Sequence, residues 1–350
     1  MDRIQTMLRL AFRTENPLTL ALSGTGSAGV EATIANLVEP DDEALVLVNG
    51  VFGGRMCEMV ERVGGVARRL DRPWGEVFEP EEVAAALRRW PAVRLVALVH
   101  AETSTGARQP IAEIAPLCHE REALLLVDAV TSLGGLELEV DGWGIDACAS
   151  ATQKCLSCPP GLAPVTFGPR ALERIRTRRR KVVSWYLDVG LIQRYWAEES
   201  RAYHHTAPIA MTYALHEALA MVLEEGLEAR WARHARHGRA LVAGLGALGF
   251  VPVPAAGCRL PVLTAVRLPE GLDEAPARRR LLADHGIEIG GGLGPLAGEI
   301  WRIGLMGESA RRRHVLALLT AVEEILVTAG LRRRIGDGLD AAVAAYGGEG

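Results

Sequence analysis

Lys154 stands in Ser150-Ala-Thr-Gln-Lys-Cys-Leu-Ser-Cys-Pro-Pro-Gly161, where a small-residue strand pattern, Ile145 to Ala151, runs into one lysine and then a Pro-Pro-Gly turn. Desolvating an ammonium is costly, so a lysine at the end of a buried strand needs a reason. Chemistry supplies one. A desolvated lysine has a lowered pKa and attacks carbonyl carbons. An arbitrary loop lysine is a surface group, but the apolar strand here and the residues described next favour the nucleophile.

Asp128 ends the apolar run Leu124-Leu-Leu-Val127, one strand before Lys154. A carboxylate there lies at the ligand-binding edge of an open α/β sheet. It can keep a pyridinium nitrogen protonated so that the ring accepts electrons. The other reading is a cap for the next helix. The pairing with Lys154 favours the cofactor role.

Ser23-Gly-Thr-Gly-Ser-Ala-Gly29 lies between a strand and a helix pattern. Glycines let the backbone approach a ligand, and the free N–H groups of a helix start attract phosphate. The text also fits G-x-G-x-x-G. A dinucleotide site, however, wants an acid at the end of the next strand, and that strand ends Val48-Asn49. A phosphate cradle is therefore favoured over NAD, with a plain tight turn as the third possibility. After the strand ending Val99-His100, Thr103 in Glu102-Thr-Ser-Thr-Gly106 is placed to bond a cofactor ring hydroxyl or phosphate. Phe52, flanked by glycines, is placed to stack on a flat ring. Tyr203-His-His-Thr206 is a polar cluster. Its histidines suggest metal, but adjacent side chains are expected to point apart, and no acid stands at metal spacing. Arg302 ends a strand and suits a substrate carboxylate, or a surface ion pair.

The elements that must position these residues alternate. Strand patterns at Leu18–Leu22, Ala44–Val48, Arg94–Val99, Ala123–Val127, Ala147–Ala151 and Ala163–Phe167 interleave with helical ones at Ser27–Val38, Gly53–Val63, Pro80–Trp90 and Ile111–Glu120. This predicts an α/β fold, a mostly parallel sheet flanked by helices. Arg174 to Lys181 reads as a solvated helix face, and Pro208 to Leu248 as one long helical stretch. The composition changes near Val251, so the expected division is a large domain over 1–250, a small C-terminal α+β domain over 251–335 and a frayed tail over 336–350.

The 350 residues carry a net charge of −4, which gives no reason to expect nucleic acid,. No apolar run is long enough for a membrane span, and the amphipathic N-terminus lacks the features of a secretory signal. A cytoplasmic protein is expected. Six scattered cysteines do not make a disulfide framework,. Cys155 and Cys158 read as packing residues beside Lys154 rather than a zinc or redox pair.

Taken together, these strings resemble the fold-type I pyridoxal 5'-phosphate (PLP) enzymes of the class V aminotransferase group, and within it the alanine–glyoxylate and serine–pyruvate aminotransferases. The strings are Asn16-Pro-Leu-Thr-Leu20 with Ser-Gly-Thr-Gly, Asn49-Gly-Val-Phe-Gly, Glu102-Thr-Ser-Thr-Gly, Val127-Asp128, Gln153-Lys154 with Pro-Pro-Gly, Tyr203-His-His-Thr206, Gly291-Gly-Leu-Gly-Pro295 and Arg302-Ile-Gly. The resemblance implies that Lys154 forms the Schiff base with PLP and shuttles the proton, and that Asp128 pairs with the pyridine nitrogen. It implies that Val130 packs on the ring, that Thr103 and Gln153 contact ring and phosphate, and that Thr25, Gly26 and Ser27 hold the phosphate. Tyr203 and Thr206 would reach the cofactor of a neighbouring subunit in a homodimer, and Arg302 would grip the substrate carboxylate. Substrates would be a small amino acid (alanine or serine) and a 2-oxo acid (glyoxylate or pyruvate). Relatives usually place Trp where Phe52 stands, and carry an N-terminal Gly-Pro-Gly-Pro stretch that this sequence lacks before its first helix. The alternatives are a lyase or desulfurase of the same fold, or a nucleotide-binding protein using the Gly24–Gly29 loop.

Overall fold

The computed structural model describes residues 1–197 and 201–347. α1 (Asp2–Phe12) leads into β1 (Leu18–Ser23), α2 (Gly26–Leu37), β2 (Glu43–Val48), α3 (Val51–Arg62), β3 (Val66–Asp71), α4 (Pro80–Arg89) and β4 (Val93–Val99). A short hairpin, β5 (Ala101–Glu102) and β6 (Ala107–Arg108), precedes α5 (Ile114–His119), β7 (Leu124–Asp128), β8 (Ala147–Ala149) and β9 (Leu162–Phe167). Then come α6 (Pro169–Arg176), α7 (Val189–Trp196), α8 (Ile209–Glu225), α9 (Leu227–Ala247), β10 (Val251–Pro252), β11 (Leu263–Arg267), α10 (Glu274–His285), β12 (Gly290–Gly291), β13 (Ile300–Gly304), α11 (Arg312–Thr328) and α12 (Asp337–Gly347).

The large sheet has seven strands in the order β1-β9-β8-β7-β4-β2-β3. Only β9 runs against its neighbours; the others are parallel. β7 and β9 are buried at every residue because helices cover both faces,. β3 gave no strand signal in the sequence. It is an edge strand with no buried residue, and Arg68 and Arg69 break its apolar pattern,. The small sheet, β10-β11-β13-β12, is antiparallel. Its core joins Phe250, Trp301 and Val322 to Leu241 and Leu245 from α9. Among the described residues, no helix is long and apolar enough to cross a membrane.

Three expectations are corrected. The stretch after Ile335 does not fray. It forms α12, whose Ala342 and Tyr346 are buried in the small core, and the N–H groups of Gly336 and Gly338 donate to buried Glu323 (3.0 and 2.6 Å). A carboxylate at a helix start complements the free N–H groups and the dipole there; residues 348–350 lie outside the description. The basic run is only in part a solvated face: Arg176, Arg179, Arg180 and Lys181 are exposed, but Arg174 and Arg178 turn inward. Arg174 donates to Leu37 O (3.1 Å) and pairs with Asp42, while Arg178 donates to Asn36 O and Val38 O (2.8 and 3.0 Å). These arginines satisfy the last carbonyls of α2. The 208–248 stretch is two helices, broken at Gly226, whose φ of 81° favours glycine,.

Candidate active site

Because β1, β2, β4, β7 and β8 are mutually parallel in direction, their C-terminal ends share one sheet edge. A cavity of about 220 Å³ opens there, lined in part by Thr25, Gly26 and Ser27 after β1 and Phe52 after β2. Thr103 from the β5–β6 hairpin, Asp128 and Val130 at the end of β7, and Gln153 and Lys154 after β8 line it too; Arg302, Tyr203 and Thr206 do not. Nine residues singled out from the sequence thus converge on one space.

Lys154 is half-buried in the turn after β8, which ends at Ala149 rather than running on to Ala151. Burial lowers its pKa, and the nearby Arg302 cation lowers it further, against the pull of Cys155 and Asp128,. Burial also pushes the Asp128 carboxyl up to about 7, with Val130 N–H (2.8 Å) bonding one of its oxygens. The lysine turn is held from behind. Arg230, 2% exposed, donates to Cys155 O (2.7 Å) and Gly134 O (3.0 Å) and pairs with Glu225 (2.5 Å). Cys155 and Cys158 are buried free thiols.

α2 begins at the cavity with Thr25 as its cap residue. Thr25 makes no side-chain cap bond, and the first turn holds no acid. The N–H groups of a helix start unopposed by protein carboxylates form an anion site. Gly26 is required by space: a Cβ there would come within 2.7 Å of Ala151 Cβ and 3.0 Å of Val130 Cγ2.

Arg302, in β13, reaches across from the small sheet. Its Nε donates to Gly291 O (2.7 Å) and its Nη1 to Thr103 O (3.3 Å). Tyr203 and Thr206 are not among the cavity residues. Their hydroxyls lie 3.2 Å apart on the surface, and Tyr203 is 80% exposed. The two histidines between them do not point apart: His204 Nδ1 and His205 Nδ1 are 2.7 Å from each other. The segment is neither helix nor strand, so the alternation of adjacent side chains does not apply. His205 Nε2 bonds Ser23 Oγ (2.6 Å), while His204 stacks on Trp185 at 4.2 Å. Among the described residues, no group of three metal-ligating side chains is assembled.

Sequence reasoning missed Arg55, Met56 and Met59, which line the cavity from α3. It also missed the work of Glu102. This buried carboxylate accepts N–H bonds from Phe52 (3.1 Å), Gly53 (3.3 Å) and Ser104 (3.1 Å), and so fixes the start of α3 and the Phe52 ring. The flanking glycines signalled a close approach: a Cβ on Gly50 would fall 2.3 Å from Glu102 Cδ.

Residues 2–297 match the Aminotransferase class-V family. The (S)-ureidoglycine–glyoxylate transaminase of Bacillus subtilis is 40% identical over 364 aligned residues, covering 99% of this chain and 87% of the relative. The alanine–glyoxylate aminotransferase of Callithrix jacchus is 41% identical over 331 residues, covering 93% and 79%. The crystal structure of alanine–glyoxylate aminotransferase from Nostoc sp. superposes with a TM-score of 0.91 at 50% identity, covering 93% of this chain and 86% of that one.

Proposed function

Since the chain belongs to the class-V aminotransferase family, and is by that membership an aminotransferase, we propose that it carries an amino group from a small amino acid, alanine or serine, to glyoxylate or pyruvate. The cofactor in this reading is pyridoxal 5'-phosphate on Lys154. One observation carries it: Lys154 and Asp128, from successive strands, line the same cavity as the uncapped start of α2. An amine of lowered pKa, a buried acid and a phosphate-sized anion site fit the three functional ends of that molecule. Bound there, PLP supplies an aldehyde that condenses with amines and a ring that takes up the electron pair left when a proton leaves the neighbouring carbon.

The chain's own groups do the rest. Lys154, its pKa lowered by burial, would take the proton from the substrate α-carbon and return it two atoms away, across the intervening nitrogen,. Asp128 presents its charge to the ring nitrogen, Phe52 and Val130 hold the ring faces, and Thr103 and Gln153 bond its edge. Thr25, Gly26 and Ser27 receive the phosphate. Arg302 grips the substrate carboxylate, and Thr103 O and Gly291 O fix its fork. Tyr203 and Thr206 serve the cofactor of a second copy. Trp185, Tyr203, Ile209 and Tyr213 are large apolar side chains left exposed, which supports a homodimer,.

Glyoxylate is favoured as acceptor because the Bacillus and Callithrix relatives both bear it in their names. The Bacillus relative, aligned over 99% of this chain, supports ureidoglycine as a second donor reading. In the test, purified protein is yellow, borohydride fixes a pyridoxyl group on Lys154, and a screen of donors follows bleaching of the visible band. Lys154→Ala turning over at an undiminished rate would overturn the assignment. Ammonia release from serine without amino transfer would favour the lyase alternative.

A further inference from the structure

Arg55 lines the cavity but has no part in the roles above. It lies one turn into α3, with its guanidinium carbon 5.2 Å from the centroid of the Phe52 ring. Its Nη1 comes within 3.4 Å of Ser27 Oγ, in the first turn of α2. It makes no ion pair among the described residues; these two contacts orient it, and its charge also acts on the Asp128 carboxyl.

The two helix starts at this cavity are treated differently. The start of α3 is already satisfied: Val51 N–H donates to Ser104 Oγ (3.0 Å), and Phe52 and Gly53 donate to the Glu102 carboxylate. The start of α2 has neither cap nor acid. A cation leaning from α3 toward α2 therefore faces the one helix start at which the protein supplies no negative charge. The carboxylate-binding role belongs to Arg302, which comes from the small sheet and is tied to Thr103 and Gly291. Arg55 is the arginine that lines the cavity itself, while Arg302 approaches it through Thr103.

We propose that Arg55 is a phosphate-binding residue for the cofactor, with its guanidinium plane set by stacking on Phe52. A planar fork with several N–H donors suits a phosphate dianion, and stacking on an aromatic face leaves the donor edge free. Its consequence is selectivity: the protein prefers the phosphorylated vitamin to the free aldehyde partly through Arg55. This inference rests on the PLP reading above.

The test titrates cofactor-free protein with PLP and, separately, with unphosphorylated pyridoxal, following the visible band of the lysine adduct. Arg55→Gln weakens PLP binding about tenfold, the scale of one charge-assisted contact at a partly solvated site. Pyridoxal affinity stays within about twofold. Arg55→Lys, which keeps charge but loses fork and stack, falls between. Added salt weakens PLP binding to the wild type more than to Arg55→Gln. Equal melting temperatures of the cofactor-free proteins establish that folding is intact. Unchanged PLP affinity in Arg55→Gln, or equal losses for PLP and pyridoxal, would overturn the assignment, the latter pointing to ring packing alone. No PLP binding by the wild type would overturn the PLP reading and this inference with it.

Discussion

Replacing Asp128 with Asn separates what this carboxylate does to the fold from what it does for chemistry. Asp128 is 7% exposed, and burial raises its pKa from the ordinary 3.8 to about 7. A carboxyl raised in this way binds its proton more tightly in the folded chain than in the unfolded one. The unfolded chain therefore holds fewer protons, and stability falls as pH rises. The loss begins near the unfolded value of about 4 and is complete above the folded value. At ~1.4 kcal/mol per unit over about three units, the full penalty is roughly 4 kcal/mol. Unfolding entropy for a chain of this length is ~0.7 kcal/mol/K, so the penalty corresponds to about 6 °C. Asn keeps an acceptor for Val130 N–H and has no charge to bury. Cofactor-free Asp128→Asn is expected to melt with the wild type near pH 4 and about 6 °C above it at pH 8, read by calorimetry. A melting difference that does not change with pH would refute the burial argument. With PLP bound, the same variant should lose about 10²- to 10³-fold in turnover, the range for removing one preorganised electrostatic partner.

Two other substitutions test different parts of the site. If Arg302 takes the substrate carboxylate as proposed, Arg302→Gln should raise KM for glyoxylate about 10- to 100-fold, while PLP affinity by absorbance titration stays unchanged. Equal losses in both would mean that Arg302 supports the cavity rather than the substrate. Glu102→Ala strips the acceptor from three N–H groups and the Ser104 hydroxyl. It should cost about 3 kcal/mol, or ~4 °C in melting temperature, and release the Phe52 ring, seen as a change in the circular dichroism of bound PLP. A variant melting with the wild type would show that these N–H groups find other partners.

Lys154 and Asp128 were legible because each is a costly residue beside an apolar strand, and a parallel sheet brings the ends of such strands to one edge. The glycine-rich start of α2 was legible for the same topological reason. Arg55 was not, since an arginine one turn into an amphipathic helix looks like any solvated arginine until the neighbouring helix start is placed beside it. Glu102 was quoted within its motif, yet the attention fell on Thr103. Its partners are backbone N–H groups some fifty positions earlier, which no spacing rule reveals. β3 escaped because an edge strand need not be apolar. α12 escaped because Gly336 and Gly338 suggest a loose end unless the buried Glu323 that receives them is known.

Arg230 clasps the carbonyl of Cys155 from 75 positions further along the chain. The turn bearing Lys154 is therefore braced by a helix far along the chain from the strands around it. The bearing of Lys154 thus depends on α9 being docked against the turn, so a change in α9 remote from the cavity can reach the lysine.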